Sequence, residues 1–259
     1  MSGHVSLEID GKIATITNHN PDKHNAFDDD MDSELFAILA ELRARRDVRV
    51  VIWQGEGKSF SSGRDVASIG TNVKPVPHHE LMRNGHRGIQ QLWDLDQPFI
   101  VACKGWVMGG SFQRALLCDI RVAAEGTRFR LPELTHGVIP DTGGFGVLYE
   151  MCGPGVVSDL VLTGRVMQAD EALGHGIVSR VVEPDALEST VREMAEAIAA
   201  APFIAVRMAR EIIRHLSQPQ IRSSMHDELI YQTFINKSDD FAELRAARAE
   251  GRPPEFNGT

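Results

Sequence analysis

The sequence predicts an α/β body, residues 1–183, followed by a helical C-terminal region, residues 184–259. Three observations carry this fold class. Apolar, β-branched runs such as VRVVIWQ and PFIVAC alternate with segments of helical periodicity. A glycine-bearing turn, Gly109-Gly110, leads from a strand pattern into a helix start. From Pro184 onward the strand signals stop and only helical patterns remain.

In chain order, Val5–Ile9 and Ile13–Asn18 flank Asp10-Gly11, a hairpin signal between β-type runs. Asn20-Pro21-Asp22 reads as a turn. Asp28 to Asp32 place carboxylates where a helix begins, and Met31, Leu35, Ile38, Leu39 and Leu42 follow at helical spacing. The strand VRVVIWQ leads into GEGKSFSSGRD, a small-residue loop whose backbone N–H groups are candidates for exposure, although taken alone it reads first as an ordinary turn. Thr71 to His79 is polar and proline-bearing and is expected to be mobile. Leu81 to Leu95 predicts a helix, and Phe99–Val101 a buried strand that turns through Gly109-Gly110 into a helix bearing Phe112, Ala115, Leu116 and Cys118. Ile120–Ala123 and Arg128–Leu131 predict short strands. A helix opening at Gly144 is expected to end at Gly153-Pro154-Gly155; Val156–Thr163, Asp170–Gly174 and a strand Ile177–Val182 complete the body. The tail predicts helices over Leu187–Ala201, Ile204–Leu216, Ile221–Ile235 and Asp239–Glu250, broken at Pro202 and Pro219. Helices of this kind must bury their apolar faces on the body or on another subunit.

Composition narrows the function. A net charge of −9 over 259 residues disfavours nucleic acid or an anionic membrane as the main partner. The start, MSGHVSLEID, lacks the cationic and apolar regions of a secretory signal, and no uninterrupted apolar run approaches a bilayer span. Cys103, Cys118 and Cys152 sit apart in apolar segments, as reduced cytoplasmic thiols do. The ten histidines form no metal pattern: His78-His79 read as exposed, and His136 as a hydrogen-bonded structural residue.

Chemistry concentrates at two places. Gly109-Gly110 at a helix N-terminus frees backbone N–H groups to hold an anion or an oxygen that becomes one. GGSFQ there is similar to the nucleophile elbow of α/β-hydrolases, with Asp141 and His175 following in the right order, but Gln113 stands where that sharp turn needs a small residue. Glu133 and Asp141 lie in loops among Leu131, Leu134, Val138 and Ile139. Partial desolvation there raises carboxyl pKa values toward those of proton-transfer groups; helix or turn capping is the rival role, most directly for Asp141.

GKSFSSGRDV, KGWVMGGSFQRALLCDIRVAAEGTRFRLPELTHGVIPDTGG and LTGRVMQADEALGHGIVSRVV, with NPDKHNAF near the start and SDDFAELRAARAEGRPPEFNG at the end, together resemble the crotonase (enoyl-CoA hydratase/isomerase) superfamily. The resemblance implies a crotonase-like spiral of ββα units, a C-terminal region that assembles homotrimers or dimers of trimers and covers the active site, and an acyl-CoA thioester substrate of fatty acid metabolism. It implies no metal and no cofactor beyond the coenzyme A of the substrate. It places two backbone N–H donors for the thioester oxygen on Arg64 and Gly110, worth about 3–4 kcal/mol each by analogy with other oxyanion holes. Ser62, Asp65, Val66 and Gly109 line the substrate around them. The family usually carries a small residue where Arg64 sits, so its side chain is expected to touch the coenzyme A or turn outward.

By the same resemblance, hydratases use two glutamates around one water. The second matches Glu133; the first matches Gln113, an amide that cannot act as a general base. Members that migrate a double bond need only the base at Glu133. Asp141 matches the second acid of the dienoyl-CoA isomerases and also the nucleophile of chlorobenzoyl-CoA dehalogenases. Isomerisation is therefore favoured over hydration. Hydrolysis or dehalogenation through Asp141, and a non-catalytic acyl-CoA-binding protein, are the alternatives.

Overall fold

Strand β1 (His4–Asp10) turns at Asp10-Gly11 into β2 (Ile13–His19), with Asp10 opposite Ile13. Gly11 takes φ +58°, the left-handed conformation such a tight turn requires. The computed structural model describes residues 3–68 and 78–259. Thr71 to Pro77, expected to be mobile, lie outside the described residues, as do the side chains of His78 and His79.

Helix α1 (Asp29–Ala44) starts where the run of aspartates predicts. Asp28 is the N-cap, and its Oδ1 accepts from the N–H groups of Asp30 at 3.1 Å and Met31 at 2.9 Å. Then follow β3 (Val50–Gly55), α2 (His78–Asp94) and β4 (Phe99–Cys103). The predicted passage from strand directly into helix needs correction. The chain turns at Lys104-Gly105 and makes a second strand, β5 (Trp106–Met108), before α3 (Gly109–Leu116). Strands β6 (Ile120–Ala124) and β7 (Arg128–Arg130), helix α4 (Gly144–Thr163), β8 (Val166–Gln168), α5 (Ala169–Gly174) and β9 (Arg180–Val182) finish the body.

Six strands form one sheet in the order β1-β2-β3-β4-β6-β9, antiparallel at β1/β2 and parallel thereafter. Its faces follow the two-residue period of extended chain. Ala14, Ile16, Val51, Trp53, Phe99, Val101 and Cys103 enter the core that holds the buried faces of α1, α3 and α4. Ile13, Val50, Ile52, Ile100, Ala102 and Val122 face the other way and meet Leu187, Val191, Ala195 and Ala199 of α6 (Leu187–Ala200). The helical region therefore supplies one covering layer of the sheet.

A second layer holds the site. Strands β5-β7-β8 form a small sheet, parallel at β5/β7 and antiparallel at β7/β8. It is extended by two isolated bridges, Ser61 with Val107 and Phe27 with Arg64, both parallel. Each turn of the chain thus places a strand in the large sheet, an extended piece in the small layer and then a helix, a spiral of ββα turns. The extended pieces at Phe27, Ser61–Arg64 and Trp106–Met108 are consecutive neighbours, which brings two distant glycine loops side by side.

Helix α4 is two helical pieces meeting at Gly153, whose φ 72°, ψ 170° is non-helical, so the interruption expected at Gly153-Pro154-Gly155 is present. The break expected in the C-terminal region is not. Helix α7 (Phe203–Ile235) is continuous where Pro219 predicts a break, and α8 (Asp239–Glu250) follows. Among the described residues α4 is the one helix long and apolar enough to cross a membrane, with mean hydropathy 1.3. It carries Glu150 and Asp159, and Val147, Leu148, Val157, Leu160 and Val161 bury one side of it in the core. The cysteines are free; burial pushes the Cys103 thiol up to about 12 and that of Cys152 to about 11.

Candidate active site

The site forms where the loop Ser61–Asp65 abuts the start of α3. The N–H of Ser61 donates to Trp106 O at 3.0 Å, and that of Met108 donates to Ser61 O at 3.0 Å. Gly63 has φ +88°, and a Cβ there would lie 2.7 Å from Met108 O, so only glycine lets the loop approach this closely. Arg64 is fixed from the other side: Phe27 N–H donates to Gly63 O and Asp65 N–H to Phe27 O, each at 2.8 Å. The first turn of α3 has no side-chain cap from Met108, and helix geometry leaves its leading N–H groups without intrahelical partners. Arg64 and Gly110, expected to act together, thus belong to adjoining extended pieces and to a helix N-terminus.

Ser111, the serine of the elbow-like motif, is buried and its Oγ lies 2.7 Å from Ser61 Oγ. It ties the two loops together and has no exposed hydroxyl with which to attack. The guanidinium of Arg64 is held against the start of α1. It pairs with Asp29 and, at 3.0 Å, with Asp32 of α1, whose other oxygen pairs with Arg114 at 2.7 Å. Ser62 Oγ donates to Lys23 O at 3.0 Å; Asp65 pairs with Lys23 Nζ at 2.8 Å and accepts from Ala67 N–H at 3.1 Å. Val66 is exposed in the 3-10 turn Val66–Ser68. Of the four expected substrate contacts, Ser62 and Asp65 hold the loop, Val66 offers an apolar surface, and Gly109 faces a buried carboxyl.

That carboxyl is Glu133, in the 3-10 turn Glu133–His136 after β7. A Cβ on Gly109, itself at φ +55°, would sit 3.4 Å from Glu133 Oε1. Glu133 is buried. Its Oε1 accepts from Gln113 Nε2 at 2.8 Å, and its Oε2 has no hydrogen-bond partner among the described residues. Burial pushes the carboxyl up to about 8, with a like-charge contribution from Asp141; hydrogen bonds from its own N–H and from Gln113 pull the other way. Such a group is mostly protonated at neutral pH and becomes a base just above it.

Gln113 is fully enclosed and its amide orientation is set at both ends. Oε1 accepts from Thr142 N–H at 2.8 Å, which leaves Nε2 to donate to Glu133. Thr142 follows Asp141, whose backbone carbonyl lies 2.5 Å from Nε2 of the buried His86. The Asp141 carboxyl is raised chiefly by burial, against the opposing fields of His86 and Arg114 and a bond from Thr142. Gln113, Glu133 and Asp141 are therefore one connected array, as expected. His136 lies outside it, with Nδ1 accepting from Arg248 of α8 at 3.1 Å.

Two members of the array escape sequence reasoning. His86 looks like one more residue of a polar helix. Glu228 of α7 is buried, accepts from Gly143 N–H at 2.7 Å and bonds Ser224; burial pushes it up to about 7. A signal existed: Glu228 falls three and seven residues after Met225 and Ile221, both buried, so a carboxylate stands on an apolar helical stripe. No group of three or more His, Cys, Asp or Glu residues is placed to hold a metal ion among the described residues.

A helix start with unpartnered leading N–H groups lies beside a desolvated carboxyl, and comparison with known proteins gives the class. Residues 8–259 match the family model for enoyl-CoA hydratase/isomerase, and the chain belongs to that family of crotonase-type enzymes. Among individual relatives, it is 33% identical to the carnitinyl-CoA dehydratase of Citrobacter koseri, over the full length of both chains. An enoyl-CoA hydratase/isomerase structure from Pseudoalteromonas atlantica superposes with a TM-score of 0.87 at 26% identity, covering 98% of this chain and 99% of that one. An enoyl-CoA hydratase/carnithine racemase from Magnetospirillum magneticum gives 0.76 at 30% identity, covering 98% and 96%.

Proposed function

We propose that this enzyme moves a proton on an acyl-CoA thioester through an enolate, with Glu133 as the single acid–base group. The observation that carries the reading is the Glu133 carboxyl itself: buried, one oxygen held by Gln113, the other without a partner, beside Gly109. Ionised Glu133 takes the proton from the carbon next to the thioester of a 3-enoyl-CoA. The N–H groups of Arg64 and Gly110 receive the charge that builds on the thioester oxygen. Protonated Glu133 then returns the proton two carbons further along, giving the 2-enoyl isomer; Asp141 is the second group near enough to share that step. Gln113 orients Glu133 and transfers no proton, which favours double-bond migration over hydration. The scheme moves protons only, so coenzyme A enters as part of the substrate. The exposed Ile204, Ile212, Ile213, Leu216 and Phe234 of α7 support assembly of this cytoplasmic enzyme as a trimer or paired trimers.

A second reading is favoured by the relatives named carnitinyl-CoA dehydratase. A single carboxyl can remove the proton beside the thioester and hand it to a hydroxyl leaving from the next carbon, forming water and a 2-enoyl-CoA.

The test is a panel of 3-enoyl-, 2-enoyl- and 3-hydroxyacyl-CoA thioesters on wild type, Glu133→Gln, Asp141→Asn and Gln113→Glu. Glu133→Gln is expected to lose about 100-fold or more of turnover on every substrate processed. Undiminished turnover in that variant sinks both readings. Faster processing of 3-hydroxyacyl- than of 3-enoyl-CoA by wild type selects the dehydratase reading. In wild type kcat/KM is expected to rise with pH to a plateau above about 8, as Glu133 ionises.

A further inference from the structure

Helix α7 grips the loop that carries Asp141 through one row of side chains. Ser224, Glu228 and Gln232 are spaced by four residues and share a face. Gln232 Oε1 accepts from Ile139 N–H at 2.9 Å, Glu228 Oε2 from Gly143 N–H at 2.7 Å, and Ser224 Oγ from Gly146 N–H at 3.2 Å. Ser224 in turn donates to Glu228 Oε1. The N–H groups on both sides of Asp141-Thr142 are thus pinned to a helix more than 70 residues away in sequence.

Between those pins, Thr142 N–H fixes the amide of Gln113, and that amide fixes Glu133. Were the loop to shift, Gln113 could turn over and present its oxygen to Glu133, replacing a hydrogen bond by repulsion. Asp141, which lies between the pins, raises both Glu228 and Glu133, while the fields of His86 of α2 and Arg114 of α3 oppose its own rise. We propose that Glu228 is a positioning residue for the proton-transfer site, acting on Glu133 through Gly143, Thr142 and Gln113. The inference rests on the reading of Glu133 as the acid–base group.

The test uses exchange of the hydrogens next to the thioester of butanoyl-CoA with deuterium oxide, read by mass spectrometry, which needs the base and the oxygen site but no particular double bond. Glu228→Ala removes the acceptor and is expected to lower the maximal exchange rate about 10-fold or more with KM changed less than about threefold, a misplacement effect. Glu228→Gln keeps an acceptor for Gly143 N–H and is expected to restore most of the rate. A folded Glu228→Ala enzyme with the wild-type rate overturns the inference. If Glu228→Ala does not fold, Glu228→Leu, which fills the volume without an acceptor for Gly143 N–H, decides alone, and the wild-type rate there overturns it. Glu133→Gln is run in parallel: full exchange there overturns both the function and this inference, whereas loss there with a wild-type Glu228→Ala overturns only the inference.

Discussion

The molecule contains two acidic clusters that use the same side chains in opposite ways. At the start of α1, Asp28 caps the helix while Asp29 and Asp32 face Arg64 and Arg114. Around the 3-10 turn and the head of α4, the buried Glu133 and Glu228 and the half-buried Asp141 are hydrogen-bonded to an amide, a hydroxyl or backbone N–H groups, with no ion pair to any of the three among the described residues. The paired carboxylates fasten the loop of Arg64 to the body. The unpaired ones have pKa values raised by burial, Glu133 to about 8 and Glu228 to about 7. Residue type is shared; the partner decides the role.

Stability against pH separates the clusters most strongly. The Glu133 pKa is raised on folding, from the ordinary 4.5 to about 8, so between those values the folded state holds a proton that the unfolded state releases. Unfolding is then favoured by about 1.4 kcal/mol per pH unit for each such carboxyl. Glu133→Gln is therefore expected to gain on wild type by about 3–4 kcal/mol between pH 5 and 8, read by denaturant unfolding at each pH. A constant difference across that range would place Glu133 with the paired group.

The next largest effect is expected on removing a member of the paired cluster. Asp32→Ala leaves the buried Arg114 without its ion-pair partner and is expected to cost about 3 kcal/mol, a fall in Tm of roughly 6–12 °C. A loss below about 1 kcal/mol would make the pair no stronger than a surface salt bridge. The smallest effect is expected at Ser111→Ala, which removes one hydrogen bond between the two loops. A loss of about 1 kcal/mol with deuterium exchange retained is the expected result; abolished exchange would return the serine to the list of reacting groups.

Much of the body was legible because its signals are local. The Asp10-Gly11 hairpin, the Asp28 cap and the β-branched runs of β3 and β4 each announce themselves within a few residues. Glu133, Asp141 and Gln113 were found through family resemblance, and the amide contact between Gln113 and Glu133 agrees with reading them as one site. Strands β5 and β8 were missed because three residues are too few to show a period. Gly153 interrupts helix as its sequence context predicts, whereas Pro219 predicts a helix end and α7 continues past it, packed along α4. Arg64 was expected to meet coenzyme A or solvent; its partners are aspartates more than thirty residues away that no local pattern pairs with it. Glu228 bonds a backbone N–H 85 residues distant, which leaves only its place on an apolar stripe as a clue.

Helix α3 has a consequence that comes from mechanics. It is eight residues long, about 12 Å, with Gly110 at one end. At the other end the buried guanidinium of Arg121 donates to the carbonyls of Ala115, Leu116 and Cys118 and, from a neighbouring segment, Ile177. The helix is a short lever clamped at its far end. A tilt of about 5° at that clamp sweeps the near end through about 1 Å, roughly the misplacement that costs a catalytic step 100-fold. A cation with no contact to substrate thus sets the aiming tolerance of the site, and its loss would show as slow chemistry in a protein that still binds its thioester.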